Sequence, residues 1–440
     1  MKLSTTTAVL LAIATAASAQ APIFDSLAYS QQSITMPDGH IVNYKAYNNV
    51  PYVGNVMDTS TQRMNIFVPD NVADNSAILL WIATTDFRAT LPNTPSTENA
   101  TAYALNQGMV VCIPGIRGTN SMCINNIYKK SSKKKKKKQK GLPMVVDAEV
   151  WYCGKLPAPL IDLKASVRFL RANDANIPGS SERIVADGYL AGAGLAALLG
   201  VSANDAVYDS LLNEVGAASV SDEVWAVACY EPITSKLNAS LGAQWLYNRN
   251  ANFATCIDSM AMLIPDTETA LTFANYQSYI NNLLYASAKD AINNGEDVNE
   301  MQGADIFADS NESDLSEYFY SLDFDRFTLY LKEMKYLGNY SYAKIYDYGT
   351  PTNLALAEYQ MDLDRRLYQT NTSSTKNWFV RHGAFDSRVP ITESINLATR
   401  LSNLGVGVDF QIPWYHYNRG DFDTAGLMEW IHRLQEAESK

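Results

Sequence analysis

Cysteine and histidine are scarce in this chain, which has five cysteines and four histidines among 440 residues. The cysteines stand at positions 112, 123, 153, 229 and 256, too few and too far apart for a disulfide scaffold. At most two pairs can form, which leaves one thiol over. Neither residue type has the spacing of a metal site, so we expect no metal and no other cofactor.

Basic residues are also few outside one short segment. The chain has 35 lysines and arginines against 46 aspartates and glutamates, a net charge of −11, and nine of the lysines lie between Lys129 and Lys140. The remaining surface is therefore strongly acidic, which argues against nucleic acid as a partner. Hydrophobic residues make up 47% of the chain and charged residues 18%, which excludes a disordered or fibrous protein.

The apolar run near the N-terminus is too short to span a membrane, and no stop-transfer segment follows it. Residues 1–19 combine Lys2, this run and the small residues Ala17 and Ala19, which predicts a secretory signal cleaved after Ala19. We therefore expect a secreted protein without a membrane span. Five Asn-x-Ser/Thr sequons fit a glycosylated exported protein, and they begin at Asn99, Asn238, Asn311, Asn339 and Asn371.

The hydrophobic pattern predicts an α/β fold with a mostly parallel central sheet. Residues 77–82 and 108–113 are short, nearly continuous apolar runs, as in strands that are buried on both faces. Apolar residues at helical spacing over 160–170 predict an amphipathic helix. A short strand at 183–187, a glycine-rich turn at 188–194 and a further helix come next. This order of elements is that of a parallel α/β repeat.

Two segments interrupt the predicted core. Residues 20–236 form its first part, but 123–150 read as a low-complexity, lysine-rich insertion. Residues 237–376 are mainly helical, and α/β alternation returns over 377–440, so we expect the helical segment to be a lid inserted into one core.

The lysine run between Lys129 and Lys140 repels itself and cannot pack. One interpretation is a polybasic surface loop that binds an anionic lipid or polysaccharide. The other, which we favour, is a disordered insertion or an intron retained in the gene model.

The turn at 188–194 permits two hypotheses. Gly192, Gly194 and Ala197 fit the G-x-G-x-x-A pattern of a dinucleotide site. However, this strand lies in mid-chain, and no clear second strand ending in an acid follows it. The alternative is a nucleophile elbow, G-x-S-x-G, with Gly188 and Gly192 in place and Leu190 where the serine would stand.

With the elbow, the sequence resembles the tannases, which are gallate esterases related to feruloyl esterases within the α/β-hydrolase superfamily. The resemblance covers nearly all of the mature chain except the lysine-rich segment, and it is weak in the lid. The strings that carry it are residues 23–27, 64–69, 114–118, 158–165, 167–171, 173–174, 177–179, 182–184, 188–192, 232–234, 381–383 and 420–423.

The resemblance implies a serine, a histidine and an acid as catalytic residues. By position, the serine is Leu190, the histidine is Asn418, and the acid is retained as Asp386. His416, two residues from Asn418, is a possible substitute base. Because loss of the serine alone costs on the order of 10⁶ in turnover, classical ester hydrolysis is not expected.

The resemblance also implies the pocket residues. Thr85 and Asp86 stand where the family has a glycine pair in its oxyanion loop, Tyr189 and Ala191 flank the elbow, and Arg388 replaces an acidic residue that contacts the galloyl group. We therefore expect a pseudo-hydrolase that binds a small phenolic or aromatic-ester ligand. The apolar side chain of Leu190 at the pocket floor would suit such a ligand.

Two alternatives stay open at this point. One is an acid/base enzyme without a nucleophile, such as a lyase, dehydratase or cyclase, that uses Asp386, His416, Tyr189 or Asp86. The other is a residual carboxylic ester hydrolase. Of the remaining candidates, His382 is expected to be structural, and Asp187, which flanks the elbow with Tyr189, is expected to line the pocket.

Overall fold

The computed structural model describes residues 21–84, 86–128, 145–296, 323–334, 354–370, 375–414 and 420–438. Several predictions fall outside these residues: the signal peptide at 1–19, the lysine run, Thr85, His416, Asn418 and the sequons at Asn311, Asn339 and Asn371. Among the described helices, none has both the length and the apolar character that crossing a membrane requires.

The described residues contain a central sheet of nine strands. In spatial order the strands are β1 (Ser30–Thr35), β2 (Ile41–Pro51), β3 (Arg63–Pro69), β5 (Val110–Pro114), β4 (Ile78–Ile82), β8 (Ile184–Tyr189), β9 (Ala226–Tyr230), β12 (Asn377–Arg381) and β13 (Gly407–Gln411). Pairing is antiparallel from β1 to β5 and parallel from β5 to β13. The predicted mostly parallel α/β sheet is confirmed.

The middle of the sheet is buried on both faces. Every residue of β4, β5 and β9 is buried, and these strands read ILLWI, VVCIP and AVACY. Continuous apolar runs of this kind form strands only where helices cover both sides of the sheet. The apolar runs at 77–82 and 108–113 predict strands for this reason, and the structure has β4 and β5 there.

Helices flank the sheet on both faces. Those of the core are α1 (Ala100–Asn106), α2 (Ala158–Ala172), α3 (Ala191–Val201), α4 (Asp209–Glu214), α11 (Ile391–Asn403) and α12 (Thr424–Glu438). The apolar side chains of α2, α3 and α11 belong to one core cluster. Those of α1 and α12 belong to a second cluster on the other face. This three-layer packing is typical of α/β domains.

A long segment is inserted between two neighbouring parallel strands, because the chain leaves the sheet at the end of β9 and returns at β12. Its described elements are α5 (Lys236–Asn248), α6 (Phe253–Ser259), β10 (Met262–Leu263), β11 (Ala270–Leu271), α7 (Phe273–Asn293), α8 (Phe324–Met334), α9 (Leu354–Met361) and α10 (Leu363–Thr370). The sequence predicts a helical lid over 237–376, and the role of this segment as a lid stays a prediction. Phe327 of α8 packs against Phe385 and Trp414, with ring centroids 5.7 and 6.3 Å away.

The predicted lysine-rich insertion at 123–150 is too wide. Strands β6 (Met122–Tyr128) and β7 (Val145–Tyr152) pair as an antiparallel hairpin, and a disulfide joins Cys123 to Cys153 at its base. These strands are rich in valine, isoleucine and aromatic residues, which favour extended structure. Cys112, Cys229 and Cys256 are free thiols, so one of the two pairs allowed by the sequence forms.

Candidate functional site

The turn between β8 and α3 has the backbone of a nucleophile elbow. Its central residue, Leu190, has φ 54° and ψ −119°, a conformation that residues with a Cβ rarely adopt. Such a conformation costs about 1–3 kcal/mol and persists only where its surroundings hold it. Two hydrogen bonds do so here: the Leu190 N–H donates to the Tyr230 carbonyl (2.9 Å), and the Leu190 carbonyl accepts from the Ile233 N–H (3.2 Å).

Two glycines allow this turn to pack closely. A Cβ on Gly188 would lie 2.6 Å from the Gly192 carbonyl carbon, and one on Gly192 would lie 2.4 Å from the Ile82 carbonyl oxygen. The Gly192 N–H also donates to the Thr84 carbonyl at 2.8 Å, which fixes the loop after β4 against the elbow. The glycines of the G-x-S-x-G frame are therefore needed by the backbone, whatever residue stands between them.

The side chain at the elbow has no nucleophilic atom. Leu190 is 1% exposed and belongs to the apolar cluster that includes α2, α3 and α11. An alkyl group at this point cannot attack an ester carbonyl.

The acid position is intact on the other side of the site. Asp386 follows β12, is 2% exposed, and accepts hydrogen bonds from the N–H groups of Arg388 (2.7 Å) and Val389 (3.2 Å). Both carboxylate oxygens are thus held by the backbone of their own loop. These two hydrogen bonds hold the carboxylate in one orientation within its loop.

His382 lies near this carboxylate but has a structural role, as its position at the end of β12 predicts. Its Nδ1 lies 2.8 Å from Ser394 Oγ, and its Nε2 lies 4.0 Å from Asp386 Oδ2, beyond hydrogen-bond distance. Complete burial lowers the pKa of His382 to about 3, so the ring is neutral at physiological pH.

The strand register brings the elbow, the Asp386 loop and the Asp86 loop to one edge of the sheet. Tyr189 of β8, Tyr230 of β9 and Arg381 of β12 are register partners, so the elbow and the Asp386 loop leave the same carboxyl edge. The loop with Asp86 follows β4, the neighbour of β8 on its other side. Ligands of open α/β sheets bind at this edge.

Tyr189 lies close to the chain at Gly420, and charged residues of the neighbouring loops act on its pKa. Its ring lies 3.9 Å from the position that a Cβ on Gly420 would take. Burial and the charges of Asp421 and Asp86 raise the pKa of Tyr189, whereas Arg388 lowers it. The tyrosine is therefore protonated at physiological pH and can donate a hydrogen bond to a ligand.

A buried acid pair, which no sequence pattern indicates, lies beneath the elbow. Asp187 and Trp81 are register partners on one sheet face, and Trp81 Nε1 donates to Asp421 Oδ2 at 2.8 Å. Asp187 is fully buried, and neither of its oxygens has a hydrogen-bond partner. Burial, and then Asp421, raise the pKa of Asp187 well above its usual value. Asp187 therefore does not line the pocket, although its place beside the elbow suggested this.

The two described sequons differ in accessibility. Asn99 is half-buried and caps α1 by accepting from the Thr101 N–H at 3.0 Å. Asn238 is 8% exposed, and its amide nitrogen donates to the carboxylate of Asp364. A glycan on the Asn238 amide would have to replace this hydrogen bond, and glycosylation at both positions stays a prediction.

The described residues hold no cluster of three or more histidine, cysteine or acidic side chains that could bind a metal ion. Three cavities of about 490, 480 and 330 Å³ are present in the described chain. Leu190, Tyr189 and Asp386 line none of these three.

The parallel sheet, the strained turn after β8 and the acid loop after β12 define an α/β-hydrolase fold. Comparison with known proteins agrees. The family model BD-FAE matches residues 128–284. Fusobacterium nucleatum tannase is 25% identical over 93% of this chain and 98% of its own, with a TM-score of 0.74.

Lactobacillus plantarum tannase is 23% identical over 94% of this chain and 98% of its own, with a TM-score of 0.75. A tannin acyl hydrolase in complex with ethyl gallate is 22% identical over 94% of this chain and 98% of its own, also with a TM-score of 0.75. No curated protein gives a significant match. The predicted resemblance to the tannase and feruloyl-esterase-like family of α/β-hydrolases is confirmed.

Proposed function

We propose that this protein is a secreted pseudo-hydrolase that binds a small phenolic or apolar ligand without cleaving an ester. The observation that carries the proposal is Leu190, an apolar residue on the strained backbone that normally presents a serine. The strained backbone persists here although the side chain cannot react. The site therefore keeps the shape of an esterase site, but it cannot cleave an ester through a serine.

The polar groups around the elbow support binding rather than acid/base catalysis. Asp386 accepts two backbone N–H groups, which ties its carboxylate to its own loop and gives it a structural role. Tyr189 is protonated, because burial raises its pKa, and it serves as a donor. An apolar floor with a few convergent polar groups is the usual composition of a small-molecule site.

Export is part of the proposal. The predicted signal at 1–19 supports it, and so does the disulfide between Cys123 and Cys153, because disulfides persist in oxidising compartments. N-terminal sequencing of the natural protein tests it. Cleavage after Ala19 is the expected result, and an intact N-terminus would contradict export by this route.

The central experiment measures hydrolysis of methyl gallate and methyl ferulate. We expect no turnover by the natural chain and measurable turnover by the Leu190→Ser/Asn418→His variant, which restores the nucleophile and the base. The matched control is Leu190→Ala/Asn418→His, which shortens the same side chain without adding a hydroxyl group and should be inactive.

Calorimetry with the same esters distinguishes binding from turnover. The natural chain should give heats that saturate, whereas an enzyme gives a sustained heat signal. Sustained heat, or labelling of a serine by a fluorophosphonate, would contradict the proposal and restore the esterase alternative.

A further inference from the structure

Two acidic side chains from separate parts of the chain meet where the inserted helices join the core. Asp364 lies on α10 in the inserted segment, and Glu393 lies on α11 in the core. The two residues are 5% and 1% exposed. A buried carboxylate is costly unless a cation or several hydrogen-bond donors stabilise it.

One hydroxyl group lies between the two carboxylates. Thr234 Oγ lies 2.6 Å from Glu393 Oε2 and 3.4 Å from Asp364 Oδ2, but it has only one proton to donate. The N–H groups of Thr234 and Ser235 also donate to Glu393 Oε2, and the Asn238 amide donates to Asp364 Oδ2. Glu393 Oε1 has no hydrogen-bond partner. The donors present do not satisfy two full negative charges.

The charges around the pair increase the repulsion. Asp362, just before α10, is a third acid acting on Asp364. On α6, the Cys256 thiol lies 2.9 Å from Asn238 Oδ1, and both acids act on it. Within the described chain, no lysine, arginine or histidine forms an ion pair with either carboxylate.

Another buried carboxylate shows what a compensated site looks like in the same protein. Asp222 is fully buried, but Lys164 Nζ lies 2.9 Å and Arg168 2.8 Å from its oxygens. These cations outweigh the effect of burial and lower the pKa of Asp222. Asp364 and Glu393 have no such cation, so a proton must take its place.

We propose that Asp364 and Glu393 share one proton, which holds α10 against the core, so that docking of the inserted segment weakens as the pH rises from acidic to neutral. The backbone contact across the same interface is the Leu363 N–H donating to the Thr234 carbonyl at 3.1 Å. Two carboxylates this close cannot both ionise in a buried site. This inference does not rest on the proposed function.

The sign of the pH dependence follows from the direction of the pKa shifts. Burial, then Asp362, raise the pKa of Asp364 to about 7, and burial with Asp364 raises that of Glu393. A carboxyl group in an unfolded chain titrates near pH 4. The docked state therefore binds more protons than the undocked state between about pH 4 and 7. The stabilisation is complete below this window and is lost as the pH rises through it.

Amide hydrogen exchange on the full natural chain tests the proposal. We compare α10 with β5, a wholly buried strand of the central sheet, from pH 5 to pH 7 after correction for intrinsic exchange rates. The opening constant of α10 should rise up to about tenfold per pH unit, because one proton is released. That of β5 should follow this trend only weakly.

Variants assign the effect to the pair. Asp364→Asn and Glu393→Gln should each remove most of the pH dependence of α10. Asp74→Asn, which removes an exposed carboxylate, should leave it unchanged. Equal pH slopes in the natural chain and in Asp364→Asn would overturn the proposal. So would pH-independent protection of α10 in the natural chain, a result that needs no variant to fold.

Discussion

The two sides of the candidate site differ in what they retain. On the elbow side, after β8, the backbone keeps its strained turn while Leu190 stands in place of a reacting group. On the acid side, after β12, both the loop and the Asp386 carboxylate remain. The comparison shows that the backbone alone holds the elbow, whereas the Asp386 side chain itself helps to hold its loop.

The two sides differ because backbone contacts hold the elbow, whereas a side chain helps to hold the acid loop. Gly188, Gly192 and sheet hydrogen bonds fix the elbow, and none of these contacts involves the side chain at 190. The Asp386 carboxylate, in contrast, binds two N–H groups of its own loop and is part of the structure. If the proposed function is right, this difference explains why the acid is present while leucine stands at the serine position.

The largest expected effect is on a variant in which a serine and a histidine are restored and can act with Asp386. In the Leu190→Ser/Asn418→His variant, the further change Asp386→Asn should lower kcat by on the order of 10⁴, because a histidine base needs an oriented carboxylate. Steady-state hydrolysis of methyl gallate measures it. Ser387→Ala in the same background is the control and should keep most of the activity. Equal rates with and without Asp386→Asn would show that the acid side no longer serves the elbow.

A substitution at Gly192 tests whether the close packing of the elbow backbone is needed for stability. Gly192→Ala should lower the free energy of unfolding by about 3 kcal/mol, because the added Cβ would lie 2.4 Å from the Ile82 carbonyl oxygen. Denaturant unfolding measures it. At Gly407 the nearest atom to an added Cβ is 3.3 Å away, so Gly407→Ala should cost much less. Similar losses for both variants would contradict the steric role of Gly192.

The structural role of the acid is tested by its removal in the natural chain. Asp386→Ala leaves the N–H groups of Arg388 and Val389 without their acceptor and should cost about 2 kcal/mol of unfolding free energy. Asp386→Asn keeps one acceptor oxygen and should cost less. A thermal unfolding series would show the order. If Asp386→Ala matches the natural chain in stability, the explanation for the retention of the acid is wrong.

The smallest effect concerns the strain at Leu190. At a φ of 54°, Leu190→Gly should be more stable than Leu190→Ala by about 1 kcal/mol, because glycine adopts positive φ without steric cost. Within helix α3 the order should reverse, so Leu195→Ala should be more stable than Leu195→Gly. Denaturant midpoints of the four variants give the comparison. The same order at both positions would argue against strain at the elbow.

Features set by neighbouring residues could be predicted from the sequence. The apolar runs that become β4 and β5, the helical spacing of α2 and the glycine frame around Leu190 are all local patterns. The position of the acid came from a motif within one loop. Local patterns of this kind specify strands, helices and turns because backbone geometry repeats over a few residues.

Features set by distant residues could not be predicted. Trp81 and Asp421 are 340 residues apart, and Thr234 and Asp364 are 130 apart, yet each pair is hydrogen-bonded in the core. The sequence allowed several cysteine pairings besides that of Cys123 with Cys153. The lysine run between β6 and β7 made the whole of 123–150 resemble a low-complexity insertion, so the hairpin was not predicted. Such contacts depend on how the sheet assembles, which no short window of sequence contains.

The disulfide at the base of the β6–β7 hairpin has a practical consequence for the intact chain. Cys123 and Cys153 lie on either side of the lysine run, and the two strands between them are paired. A proteolytic cut anywhere from residue 129 to residue 144 would therefore leave both fragments covalently joined. The nicked protein would run at full length on a non-reducing gel and as two fragments after reduction, with the site at the sheet edge unchanged.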